Sequence, residues 1–174
     1  NFTEEERAQV IAEAKFMRAL VYFKLVNLFG QPLQVGGGTT LAVPLVTEPF
    51  SISGEANPPR NTVNEIHAQI EQDLTEAIPS LTNADNSRAT IGAAQLLLAR
   101  LYLYQERWQD AADMANNVIT SNQYSLDPDY ANIWRETGEN GPGSLFEIQA
   151  RGEIPQHGVQ QYSQTQGARG TNGW

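Results

Sequence analysis

The stretch EAKFMRALVYFKLVNLFGQPL, residues 13–33, decides the fold. Through it and the residues just before it, apolar side chains recur at the three- and four-residue spacing of one face of an α-helix. These residues are Val10, Ile11, Ala14, Met17, Val21, Leu25 and Leu28. Thr3 and Glu6 have the spacing of a capping box, which predicts where the helix begins, and Gly30 and Pro32 predict where it ends. We expect a long amphipathic helix whose apolar stripe faces the core.

The same signals predict a second helix further along the chain. Thr62 and Glu65 repeat the capping-box spacing, and Pro79 ends the pattern. The apolar stripe consists of Val63, Ile66, Ile70, Leu74, Ala77 and Ile78. We expect the acidic residues of this helix to form a solvated face. His67 lies beside the stripe with no second ligand at metal-binding spacing, which favours a packed or capping histidine over a metal ligand.

A third and a fourth helix are predicted to form an αα-hairpin. Thr90 can cap the third helix, and a short break at 105–107 separates it from the fourth. The two apolar stripes are Ala94, Leu97, Leu98, Leu101 and Tyr104, then Trp108, Ala111, Ala112, Ala115, Val118 and Ile119. Leu98, Ala99, Tyr102, Ala111, Ala115 and Val118 match the spacing of a tetratricopeptide repeat. Residues 19–22 echo 99–102, so the first two helices are expected to form a divergent pair of the same kind.

These signals predict an all-α fold of tetratricopeptide-like helical hairpins, an αα-superhelix with long loops and an irregular C-terminal segment. We expect a single partial domain made of a long helix (3–33), a loop (34–60), the repeat-like helices (61–122) and the irregular segment (123–174). The Gly- and Pro-rich loop lacks the Gly-Lys-Ser/Thr sequence of a phosphate cradle, so we expect it simply to cross the surface between two helices. Residues 144–149 alternate and predict a short strand or extended segment.

Composition restricts the function. The formal net charge of −9 and the isoelectric point near 4.6 argue against nucleic-acid binding. The chain has no cysteine, and its two histidines, His67 and His157, lack neighbouring catalytic partners. Asp127 and Asp129 are spaced poorly for a calcium loop and favour a turn or capping role. We therefore expect no enzyme activity, no metal and no cofactor, although two carboxylates distant in sequence could still form a glycosidase pair.

Several blocks of this sequence resemble the SusD/RagB family of glycan-binding outer-membrane lipoproteins. The resemblance is carried by residues 13–33 with Val43-Pro-Leu-Val, by residues 60–66 with 73–77, and by Phe146-Glu-Ile. It implies a non-catalytic cell-surface protein that binds a polysaccharide, oligosaccharide or other nutrient and delivers it to a TonB-dependent, SusC-like transporter. It also implies a lipid anchor outside this chain, so the chain is expected to be an internal, mainly N-terminal part of a longer protein. The family's sugar-contacting residues fall largely outside it.

Four aromatic residues outside the helical stripes are candidates for ligand binding: Tyr130, Trp134, Tyr162 and Trp174. Aromatic faces stack on the apolar side of sugar rings. Tyr130 and Trp134 could instead anchor their segment on the hairpin, and Trp108 is expected in the core. The other functional class left open is a helical-repeat scaffold that binds a peptide or partner protein. Exposed aromatics in loops would favour glycan capture, and an apolar groove along the helices would favour peptide binding.

Overall fold

The computed structural model describes residues 2–48, 58–83 and 85–149, without the side chain of Glu136. Five α-helices lie in these ranges: α1 (Glu4–Phe29), α2 (Leu33–Gly36), α3 (Val63–Ala77), α4 (Ile91–Tyr104) and α5 (Trp108–Thr120). Short 3-10 helices follow at Ile78–Ser80, Tyr130–Trp134 and Glu136–Gly138. The described ranges hold two isolated β-bridges and no strand, which confirms the all-α prediction. Residues 144–149 form neither a helix nor a strand.

Both predicted capping boxes are formed. The Thr3 hydroxyl accepts from the backbone N–H of Glu6 at 3.2 Å, and the Glu6 carboxylate accepts from the N–H of Thr3 at 2.8 Å. Thr62 and Glu65 make the same pair of bonds at 3.3 and 2.7 Å. Each box satisfies N–H groups that the first turn leaves without a partner. The local sequence therefore fixes the start of α1 and of α3.

The predicted core stripe of α1 is wrong. The helix buries its opposite side, made of Ala12, Phe16, Ala19, Tyr22, Phe23 and Val26. Val10, Ile11, Met17 and Val21 are 42–50% exposed, and Leu28 is 74% exposed. Because α1 is apolar on two opposite faces, periodicity alone could not select between them. The buried face carries three aromatic rings, which remove more apolar area from water than the aliphatic face would.

The helices pack as two pairs. α1 lies along α3, α4 lies along α5, and α3 contacts α4. The core between them includes Phe16, Ile66, Ile70, Leu74 and Leu101, each exposed by 2% or less. Of the six repeat-like positions, Leu98, Ala99, Tyr102 and Ala111 are buried, as the spacing predicted, and Ala115 and Val118 are half-buried. This is the tetratricopeptide-like arrangement expected from the sequence.

The outer face of α5 differs from the prediction. Trp108 is 63% exposed and Ile119 is 72% exposed, whereas Ala111 is the residue of α5 that the described structure buries. The prediction that Trp108 lies in the core is therefore wrong. The reason is that α5 is the last helix of the hairpin and contacts α4 on one side. Its apolar positions outnumber those that one neighbour can cover.

The loop after α1 contains a helical turn that the sequence did not predict. Residues 33–36 form α2, and Gly37 and Gly38 then take positive φ angles of 60° and 77°. The chain next runs onto the start of α3, where the N–H of Asn64 donates to the carbonyl of Gly38 and the N–H of Val63 to that of Thr40. The described part of the segment thus lies between the end of α1 and the start of α3, as expected, and residues 49–57 lie outside the described residues.

Candidate ligand-binding site

The segment after α5 is tied to the helices at several points. The Thr90 hydroxyl accepts from the N–H of Ala93 and donates to the carbonyl of Leu145 at 2.7 Å. The Tyr124 hydroxyl lies 3.3 Å from that of Thr90, and the Phe146 ring packs edge-on against Phe16 with centroids 5.2 Å apart. An irregular segment is thereby positioned by a rigid helical frame, which is a common way to present a binding site.

Tyr130 and Trp134 form an exposed aromatic pair on this segment. Asp129 caps their short 3-10 helix by accepting from the N–H of Ala131 at 3.0 Å. The two rings lie 6.3 Å apart at 74°, and the residues are 73% and 74% exposed. The interpretation that they anchor the segment on the hairpin is therefore wrong. The two large rings remain available to a ligand.

A cleft of about 460 Å³ opens beside Tyr130. Its lining combines apolar side chains, a glycine-rich turn and two carboxylates, and includes Leu126, Asp127, Ile133, Gly141, Ser144 and Glu147. Asp127 accepts from the side chain of Asn132 and from the N–H of Asp129, and these bonds lower the pKa of Asp127 below its ordinary value. Glu147 accepts from the N–H of Asn140 at 3.0 Å. Both carboxylates are held in place by backbone and amide donors.

The carboxylates at this site act as caps and turn acceptors. This confirms the turn and capping role predicted for Asp127 and Asp129. Within the ranges that the structure describes, no group of three or more His, Asp or Glu residues could hold a metal ion. Two of the four predicted aromatic residues, Tyr162 and Trp174, lie outside the described residues, as does His157.

Two further cavities lie against the helices and were not predicted. A groove of about 380 Å³ runs between α1 and α4, lined by Phe16, Leu20, Leu96, Leu97, Arg100 and Phe146. The other, about 350 Å³, lies at the end of α1 and includes His67. His67 is 4% exposed, its Nδ1 has no partner among the described residues, and burial lowers its pKa. The prediction of a packed histidine is confirmed.

The SusD-like family model described as "Starch-binding associating with outer membrane" matches residues 1–103. The chain belongs to the SusD-like family. Among curated relatives, SusD-like protein P25 of Formosa agariphila is 28% identical over 79% of this chain, and SusD-like protein P2 of the same organism is 30% identical over 92%. The matches span 25% and 31% of those two relatives, so the chain is equivalent to about a quarter to a third of their length.

Solved SusD-like structures share this fold. A SusD superfamily protein from Bacteroides thetaiotaomicron matches with a TM-score of 0.80 and 31% identity, over 91% of this chain and 35% of that one. A laminarin-binding SusD-like protein matches with a TM-score of 0.71 and 31% identity, over 83% and 31%. The family resemblance predicted from the sequence is confirmed. SusD-like proteins are outer-membrane-associated, carbohydrate-binding and non-catalytic. Within the described residues, no helix has the length and apolarity needed to span a bilayer.

Proposed function

We propose that the full-length protein captures a polysaccharide or oligosaccharide at the cell surface and delivers it to a TonB-dependent, SusC-like transporter. The observation that carries the proposal is the exposed Tyr130–Trp134 pair beside a cleft with fixed carboxylates, in a chain of a carbohydrate-binding family. The laminarin-binding relative supports a neutral glucan as one ligand class. The 174 residues of this chain carry a net charge of −9, so their own surface favours neutral over anionic glycans.

The geometry suits a sugar ring. The aromatic faces can stack on its apolar side, while Asp127 and Glu147 can accept from its hydroxyl groups. Both carboxylates are already held by N–H donors, so binding would order few further side chains. Tyr162 and Trp174 remain proposed ligand residues of the same class.

Calorimetric titration of the full-length protein against laminarin and starch tests the proposal. Trp134→Ala is expected to weaken binding about fivefold, since one stacking aromatic contributes on the order of 1 kcal/mol. Trp108→Ala is the matched control, because Trp108 is similarly exposed but lies on α5. Unchanged affinity in Trp134→Ala and Tyr130→Ala would reject this site. Failure of the unsubstituted protein to bind any glycan of a broader panel would reject glycan capture itself.

Delivery needs the binder to stay near the transporter. A lipid anchor outside this chain would hold the protein on the outer membrane, and docking would make transfer effectively intramolecular. The exposed face of α5 is the proposed docking surface. Ile119→Glu should reduce co-purification of the SusC-like transporter and leave glycan affinity unchanged. Lost glycan affinity with intact co-purification would contradict this division of roles.

The groove between α1 and α4 supports a second candidate, a scaffold that binds a peptide or partner protein. Leu20 and Leu96 lie along it, and Arg100 at its edge makes no ion pair with the described residues. Such a groove suits an apolar peptide with an acidic residue. Leu96→Glu should then abolish partner co-purification, whereas it should not change glycan titration.

A further inference from the structure

The outward face of α1 carries a second, ordered apolar stripe, hereafter the seam. It consists of Val10, Ala14, Met17, Val21, Lys24 and Leu28, which follow one another at alternating intervals of four and three residues. All six side chains are exposed in the described structure. Five are apolar, and Val21 and Leu28 are 50% and 74% exposed. The face that packs against α3 lies on the other side of the helix.

A helix that is apolar on two opposite faces is normally buried on both. Scattered exposed apolar residues need no explanation, but a row along about five turns does. The alternating spacing is that of a heptad seam, where the knobs of one helix fit between residues of another at a crossing angle of about 20°. The seam therefore fits a helix better than a strand or a sugar.

Lys24 specifies the chemistry of the facing helix. It occupies a seam position and makes no ion pair with the described residues. A charged seam residue is stabilised when its partner carries the opposite charge, so the facing helix should present an Asp or Glu there. The seam from Val10 to Leu28 is about 27 Å long, which requires a partner helix of roughly 18 residues.

A second copy of this chain fits the seam poorly. In a parallel pair, Lys24 would face Lys24. In an antiparallel pair it would face Ala14, and the adjacent acid, Glu13, is already held by two nitrogens of Arg88 at 2.9 and 2.6 Å. The curated relatives, in contrast, extend far beyond the segment equivalent to this chain, which is 25–31% of their length. A longer polypeptide can supply a helix that is tethered to α1.

We infer that the seam receives an amphipathic helix from the part of the full-length polypeptide outside residues 1–174, with an acidic side chain opposite Lys24. The seam is then an internal interface that joins the helical pairs to the rest of the protein. This inference does not depend on which ligand the aromatic pair binds.

Photo-crosslinking in the full-length protein tests the inference. A benzophenone side chain at Met17, or at Val21 in a second variant, should crosslink to a peptide outside residues 1–174, identified by mass spectrometry. The same group at Thr75, an exposed polar position of α3, is the control and should give no such product. A crosslink within 1–174, a crosslinked dimer, or no crosslink in a folded variant would overturn the inference.

The charge of the seam gives a second readout. Lys24→Glu should lower the melting temperature of the full-length protein by several degrees, because two acids would then meet. Replacing the facing acid, once identified by crosslinking, with Lys should restore it. A Lys24→Glu protein that melts as the unsubstituted protein does would overturn the assignment of an acidic partner.

Discussion

Arg18 of α1 and Asp73 of α3, which are 55 residues apart in sequence, form a bidentate ion pair with N–O distances of 2.7 and 2.6 Å. Asp73 is 1% exposed and also accepts from Gln69. The hydrogen bonds to Asp73 raise the pKa of Arg18 above its ordinary value. The sequence had predicted a solvated acidic face on α3, so this buried carboxylate is a correction. Its role is to fix α1 against α3.

Removing the Arg18 cation should lower the free energy of unfolding more than neutralising the Asp73 carboxylate. Arg18→Ala leaves the Asp73 carboxylate buried, and loss of a buried charge partner costs about 3–5 kcal/mol. Asp73→Asn should cost less, because the Arg18 side chain is 29% exposed and its head can reach water. Lys15→Ala is the control, since its pair with Glu76 is more exposed and worth about 0–1 kcal/mol. Free energies of unfolding in urea measure all three, and equal losses in Arg18→Ala and Lys15→Ala would refute the role of the pair.

Burial of His67 should make stability depend on pH. Its pKa is lowered in the folded state by burial, while the unfolded chain titrates near its ordinary value of 6.5. Below that pH the unfolded state binds more protons, so the free energy of unfolding should fall as pH decreases from about 7 to 5. His67→Leu removes the titrating group and should flatten the profile over this window. An unchanged slope in urea unfolding curves would show that another group causes it.

Thr90 should matter more than an ordinary helix cap. Thr90→Val loses the bond to the Ala93 N–H and the bond that its hydroxyl donates to Leu145, at a position 1% exposed. We expect a loss of about 2 kcal/mol, against roughly 1 kcal/mol for Thr62→Ala, which removes a cap alone. Because Leu145 lies in the segment that forms the cleft, Thr90→Val should also weaken glycan binding. Scanning calorimetry of the two variants compares their stabilities, and titration calorimetry compares their glycan affinities. Equal glycan affinities in Thr90→Val and Thr62→Ala would contradict the link between Thr90 and the cleft.

The helix starts and the buried stripe of α3 were predictable from the sequence, but the buried face of α1 and the exposure of Trp108 were not. The Thr3–Glu6 and Thr62–Glu65 boxes depend on bonds within one turn, so the sequence alone specifies them. Which face of α1 is buried, and that Trp108 lies outside, depends on the neighbours that the fold supplies. The exposure of Tyr130 and Trp134 is of the same kind. Asp129 predicted their turn, but the segment that carries the turn is held by hydrogen bonds between residues far apart in sequence, such as that of Thr90 to Leu145.

Gly92 provides a test of how the segment after α5 is held against α4. The effect of Gly92→Ala on the free energy of unfolding should change sign when Tyr124 is replaced. A Cβ at position 92 would lie 2.5 Å from the Tyr124 ring, which is held by hydrogen bonds to Asn83 and Thr90. In a helix, Gly→Ala normally stabilises by up to about 1 kcal/mol.

Here Gly92→Ala should instead destabilise the protein, because the ring must leave its partners. In a Tyr124→Leu background the clash is relieved, and the same substitution should stabilise by roughly 0.5–1 kcal/mol. A double-mutant cycle in urea measures the difference. If Gly92→Ala stabilises both backgrounds equally, the Tyr124 ring does not hold the cleft segment against α4.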